Sequence, residues 1–175
     1  MTPVDIIFND YPDFKPNLTP QDIFELGSFG GTYWRPIESK FYKNILKNQH
    51  IEFKFLNNIN DKYLTSTECN KKLNKYKVSS GSSLKEWEGK EWINKKDPYG
   101  WVQWYCRFYS GRRSDDDVRQ INRWIRFTGP NGRFKKRLIN MINEKKTTYD
   151  DFSVSPVIRQ GLQQWAYQLT NDDII

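Results

Sequence analysis

The clearest periodicity in the chain lies in its second half. Trp101, Trp104, Tyr105 and Phe108 recur at intervals of three and four, the spacing of a buried helical face, and Gly111 ends the run. With Asp97 as a cap and Pro98 in the first turn they predict a helix over 98–110. Ser114 and Asp117 have the spacing of a capping box for a second helix, with Val118, Ile121, Trp124 and Ile125 inward and a stop at Gly129-Pro130. Phe134, Leu138, Met141 and Ile142 mark a third. Ser155-Pro156 opens a fourth, with Ile158, Leu162, Trp165, Ala166 and Leu169 facing the core.

The first half is less regular. Thr19-Pro20-Gln21-Asp22 combines a capping Thr, a first-turn proline and an acid three residues after the cap, and predicts a short helix over 20–26 stopped by Gly27. Thr32–Ile37 and Ile51–Leu56 alternate apolar with polar residues and predict two short strands. A further helix is expected from Thr67 to Tyr76 and a single turn from Ser83 to Glu88, with Ser79-Ser80-Gly81-Ser82 as the most flexible connector. The expected fold class is therefore α+β, mainly α, with a mixed N-terminal layer carrying short strands packed on a C-terminal four-helix unit. Both portions, 1–96 and 97–175, are read as parts of one domain over residues 1–175.

Composition changes this picture in one respect. The 175 residues hold 7 Trp, 10 Tyr and 11 Phe against a single alanine, Ala166. Aromatic side chains bury about 150–250 Å² each, so rings replace the missing small aliphatics and the core is expected to be ring-rich. A chain of this length buries about 70% of its unfolded surface and needs no disulfide or metal staple. No apolar run approaches the roughly 18 residues that span a bilayer. Met1–Asp10 has neither a basic leader nor a small-residue cleavage site, so the expectation is a soluble protein that is not secreted.

Charge is distributed unevenly. Residues 1–99 carry 15 basic and 13 acidic side chains, residues 100–160 carry 13 and 6, and nine of the ten arginines lie between Arg107 and Arg159. Arginine offers a planar fork that binds phosphate through two hydrogen bonds and stacks on bases, whereas scattered lysine is a solubilising surface residue. Arg119, Arg123 and Arg126 fall at i, i+4 and i+7 on the second predicted helix and should project together. Arg112 and Arg113 precede that helix. The alternative for all five is ion pairing with Asp115, Asp116, Asp117, Asp150 and Asp151.

A second basic element is the turn Gly129-Pro130-Asn131-Gly132, which leads into Arg133, Lys135, Lys136 and Arg137 at a helix start. Helix N-termini attract phosphate, and glycine permits close backbone approach. The arrangement resembles the helix-hairpin-helix element that grips a DNA backbone. It departs from that pattern because its two glycines stand three residues apart where the family usually spaces them two apart. An ordinary helix stop before a basic surface helix is the other reading. Tyr33, Trp34 and Arg35 form a possible stacking platform for an unpaired base, with core packing as the alternative for both rings. Gln160, Gln163 and Gln164 are expected to face water or a partner.

Other chemistry is thinly represented. Cys69, Cys106 and His50 are the only cysteines and histidine, with no zinc-ligand spacing, so no metal site is expected. A nucleophilic pair of His50 with either cysteine is weighed against simple burial of the thiols. Gly27-Ser28-Phe29-Gly30-Gly31 lacks a Gly-Lys-Ser/Thr ending and is no nucleotide P-loop. Asp115, Asp116 and Asp117 could hold Mg²⁺ for phosphodiester hydrolysis, although three acids at a helix start also serve as dipole-complementing caps.

Five segments, Phe14–Pro20, Gly27–Ile37, Asp97–Asp117, Gly129–Phe134 and Ser155–Tyr167, resemble a group of small uncharacterised proteins found in large DNA viruses, fungi, algae and plants. The likeness covers most of the chain. It implies an intracellular setting, cytoplasmic or nuclear, and the Lys/Asn bias fits the viral branch. It implies no activity, and no catalytic residue is carried over. The residues themselves lead to a non-enzymatic protein that holds DNA or RNA by its phosphate backbone with little sequence selectivity, without a cofactor and without a membrane. Two other readings use the same surface. One is a nucleic-acid-processing enzyme, either a Mg²⁺-assisted nuclease built on Asp115–Asp117 or a base-excising activity. The other is an interaction module for an acidic partner.

Overall fold

The structure is a computed structural model and describes residues 5–79 and 92–174. Among the described residues five α-helices carry it: α1 (Pro20–Glu25), α2 (Trp101–Tyr109), α3 (Asp117–Thr128), α4 (Arg133–Glu144) and α5 (Pro156–Gln164). The expected α+β layer is a misreading: among the described residues there is no β-strand, only the isolated bridges Ile37–Leu46 and Asn94–Asp97. The fold is mainly helical.

Both strand predictions fail because alternation along the chain is not alternation in space. Tyr33 and Trp34 are neighbours, yet both are buried, which the half-buried alternating strand expected here would not give, and Pro36 has no N–H to offer a ladder. In 51–56 the inward residues are Phe53 and Leu56, three apart, while Ile51 is 63% exposed. That period matches the consecutive 3-10 turns Gln49–Glu52 and Lys54–Leu56. The helix expected over 67–76 is reduced to one 3-10 turn, Lys71–Leu73, capped by the Asn70 side chain. The turn expected at 83–88 lies outside the described residues, as does most of the 79–82 connector.

The first half is held by close backbone approach. A Cβ on Gly31, whose φ is +89°, would sit 2.0 Å from the Lys62 carbonyl oxygen, and one on Gly27 would sit 2.3 Å from that of Leu73. The dense glycines therefore dock the 27–31 turn onto the 62–74 segment. Here α1 keeps its anticipated cap: Thr19 Oγ1 accepts from the Asp22 N–H, and the Asp22 carboxylate accepts from the Thr19 N–H.

In the second half, α2 starts three residues later than its pattern suggests. Gly100 occupies the N-cap with φ 104°, and the Asp97 carboxylate is turned toward two guanidiniums instead of capping the helix. Six apolar side chains of α2 are buried, so it runs through the centre of the core. α3 begins after Ser114 and Asp117 exchange hydrogen bonds, and α5 stops at Gln164, where Ala166 takes a left-handed φ of 60°.

Ring packing joins the two halves. Phe14 meets Trp101, Trp104, Tyr105, Phe108 and Trp124 at centroid distances of 5.2–6.2 Å. Trp34 meets Phe24, Tyr33, Phe53 and Tyr99. Such pairs add about 0.5–1.5 kcal/mol each beyond area burial. The indole and phenol polar groups are mostly satisfied, with Trp104 Nε1 donating to Asp117 at 2.8 Å and Tyr105 Oη donating to the Leu18 carbonyl at 2.8 Å. Among the described residues no helix is long and apolar enough to cross a membrane.

Candidate nucleic-acid interface

α3, α4 and α5 leave between them a groove of about 1140 Å³. Its floor is apolar and buried, formed by Tyr33, Ile93, Trp101 and Val102. Its rim carries Val118, at 58% exposure, and Val157, at 53%, together with Asn122, Arg126 and Arg133. Val118 was expected in the core. Its side chain instead starts a line with Asn122 and Arg126, four residues apart along one side of α3.

Four stacked or tilted rings run along the groove. Trp101 lies 4.9 Å from Trp165, Trp165 lies 5.1 Å from Phe127, and Phe127 stacks on Phe134 at 5.0 Å with an interplanar angle of 17°. Two guanidiniums lie on these rings. Arg133 is 4.7 Å from the Phe127 centroid and 5.5 Å from that of Phe134, and Arg123 is 5.4 Å from Trp165 and 5.7 Å from Trp92. The glycine turn creates this geometry. A Cβ on Gly132 would lie 2.5 Å from the Thr128 nitrogen, and one on Gly129 would lie 2.6 Å from the Ile125 carbonyl oxygen, so only glycine lets α4 return against the end of α3 and bring Phe134 to Phe127. The Gly132 N–H donates to Gly129 O at 2.8 Å, so that amide closes the turn. Asn131 is exposed at its tip. α4 begins without a side-chain cap.

The arginines anticipated as one surface divide into two groups. Arg112 is clamped by the buried Asp97 carboxylate through two bonds of 2.8 Å, and Arg107 reaches the same carboxylate at 3.0 Å. Arg113 pairs with Asp10 at 2.7 Å and lies 3.7 Å above the Phe108 ring. Arg119 pairs with Asp116 at 2.6 Å but still lines the groove. Lys135 is drawn off to Asp173 at 3.0 Å and to the Tyr167 ring. The remaining cations, Arg123, Arg126, Arg133, Lys136 and Arg137, have no ion pair among the described residues. The single phosphate surface expected from Arg112 through Arg137 is thus a smaller set centred on the groove, because Asp97 and Asp10 hold Arg112 and Arg113 in the scaffold.

Arg123 is the most unusual member. It donates to the Trp92 carbonyl at 3.0 Å and to Gln120 Oε1 at 2.8 Å, and burial, reinforced by Arg119, lowers its guanidinium to about 10. Its hydrogen bonds among the described residues go to neutral groups, although the nearby Asp116 carboxylate partly offsets the desolvation that opposes its charge.

The other candidates fall elsewhere. Of the stacking platform, Trp34 is core and Arg35 donates to its own turn at Thr32 O; Tyr33 reaches the groove floor, with its hydroxyl accepting from the Gln103 N–H. Asp115 pairs with Lys96, Asp116 with Arg119, and Asp117 accepts from Trp104 and Ser114, so the three carboxylates diverge. No group of three His, Cys, Asp or Glu is placed to hold a metal ion among the described residues. Cys106 is buried, which pushes its thiol well up, and Cys69 is exposed. Gln160 and Gln163 do not face water: they are buried, and Gln160 and Gln164 both donate to the Ser28 carbonyl.

The pattern that marks the groove was readable only in part. Phe127 and Phe134 flank the glycine turn symmetrically, and Val118 sits on an otherwise polar stripe, which are the two available signals. Trp92 and Trp165 had none. No protein-family model, no curated protein and no solved structure matches the chain.

Proposed function

We propose that this chain binds nucleic acid in the groove between α3, α4 and α5, holding the phosphate backbone with Arg119, Arg123, Arg126 and Arg133 and extending outward over Lys136 and Arg137. One observation carries the reading: four guanidiniums line a single concavity in which, among the described residues, the one acidic lining residue, Asp115, is already paired with Lys96. Such a cleft concentrates positive potential over low-dielectric walls. The lining is dominated by guanidiniums and rings, with Asn122 and Gln164 as its only amides among the described residues, which favours backbone contact over base-edge reading and low selectivity among sequences.

The test is binding of fluorescein-labelled DNA and RNA oligonucleotides measured across a salt series. Each phosphate contact to a single strand contributes about 0.7 to the slope of log K against log salt, so the groove's cations give a slope of about −2 to −3. A flat salt dependence, or no binding at low salt, rejects the reading. Tighter binding of polyglutamate than of either nucleic acid would instead make the groove a site for an acidic polypeptide.

A further inference from the structure

We infer that the groove selects unpaired strands, with bases stacked on its ring and guanidinium surfaces while phosphates sit at the rim. This rests on the nucleic-acid reading and goes further by naming the form of the ligand. The groove is amphipathic in cross-section: its floor of Tyr33, Ile93, Trp101 and Val102 is apolar, and its cations lie above. A duplex keeps its base faces stacked inside and exposes only base edges, sugars and phosphates, so it has no flat apolar face to lay on that floor. An unpaired strand carries flat apolar bases and charges on one chain, which matches both layers.

The planar groups are arranged for it. Trp101, Trp165, Phe127 and Phe134 form a continuous chain of ring contacts, stacked at Phe127–Phe134 and tilted at the other two, and the guanidiniums of Arg123 and Arg133 lie 5.4 Å from Trp165 and 4.7 Å from Phe127, so planar cations line the same path. Guanidinium planes stack on bases as aromatic rings do, and every base has a π-face, so such a surface favours single strands without favouring a sequence.

The experiment compares three labelled ligands on the intact chain: a mixed-sequence single strand, the same strand annealed to its complement, and an abasic phosphodiester strand of equal length. Tryptophan fluorescence is recorded alongside anisotropy. The single strand is expected to bind about tenfold tighter than either of the others, the equivalent of one stacked base, and to quench tryptophan emission. The Phe127→Leu/Phe134→Leu variant should lose more affinity for the single strand than for the duplex, closing most of the tenfold gap between them. Since that variant alters packing, the abasic comparison on the unmodified protein stands as the independent test. Equal affinity for single strand and duplex, or for normal and abasic strands, overturns the inference while leaving backbone binding intact. No binding of any of the three at low salt removes both.

Discussion

Arg112 and Arg126 stand on the same chain, fourteen residues apart, and have opposite surroundings. Arg112 meets a fully buried carboxylate, Asp97, in a two-bond clamp, with Arg107 on the same acid and Glu52 behind it. Arg126 lies exposed on the groove rim with no ion pair among the described residues. The first arrangement ties the segment before α2 to the end of that helix and is structural. The second leaves charge available. What separates them is the carboxylate supplied by the fold, which neither the arginine count nor its spacing on a helix reveals.

The comparison breaks most visibly at Asp97. Replacing it with Asn leaves two guanidiniums facing a neutral group in a buried site, and loss of one partner of a buried pair costs about 3–5 kcal/mol. Asp97→Asn should therefore lower Tm strongly in thermal unfolding, while the folded fraction retains its nucleic-acid affinity. A large loss of affinity with unchanged Tm would mean that the paired arginines belong to the binding surface after all.

The turn that positions the groove is next. Gly132→Ala forces a Cβ against the backbone of Phe127 and Thr128, and overpacking of this kind costs about 1–3 kcal/mol. Urea unfolding should report that loss, and single-strand affinity should fall with it because Phe134 and Arg133 are displaced. Arg123→Met sharpens the distinction from the other side. Replacing a buried cation whose hydrogen bonds among the described residues go to neutral groups by an apolar chain of similar length should keep stability within about 1 kcal/mol, since the desolvation penalty disappears along with two hydrogen bonds. Affinity should fall about tenfold, the loss expected for one charge-assisted contact.

The smallest effect concerns the one histidine. Burial lowers the pKa of His50 from its ordinary 6.5, so the folded protein takes up its proton less readily than the unfolded chain does. The resulting stability is present above pH 6.5 and is lost as pH falls through the depressed value. His50→Gln should flatten that part of the pH–Tm profile and leave binding unaltered. A profile equally steep in the variant would assign the pH dependence to other groups.

Legibility in the sequence followed the range of the interactions. α1 was readable because its cap involves residues three apart, and the α3 and α4 patterns were readable because Trp124, Leu138 and Ile142 bury at helical spacing. Thr32–Ile37 and Ile51–Leu56 misled because alternating residues satisfy a strand template, while the side chains answer to rings and turns distant in sequence, such as Tyr99 against Trp34. The candidate site was legible in part as composition: the arginine-rich second half supplies the four guanidiniums that line the groove. Which arginines remain available depended on Asp97, Asp10 and Asp116, and only the first and last are near their partners in sequence. The groove itself required four helices and the 27–37 turn to converge, and no local pattern encodes that.

The most direct measurement of the central claim is the salt slope of single-strand binding for the unmodified protein beside Arg126→Gln/Arg133→Gln. Each released phosphate contact removes about 0.7 from the slope of log K against log salt, so the double variant should be shallower by about 1.4, with Tm unchanged. An identical slope in the two proteins would contradict the account, because it would show that these exposed arginines do not meet phosphate.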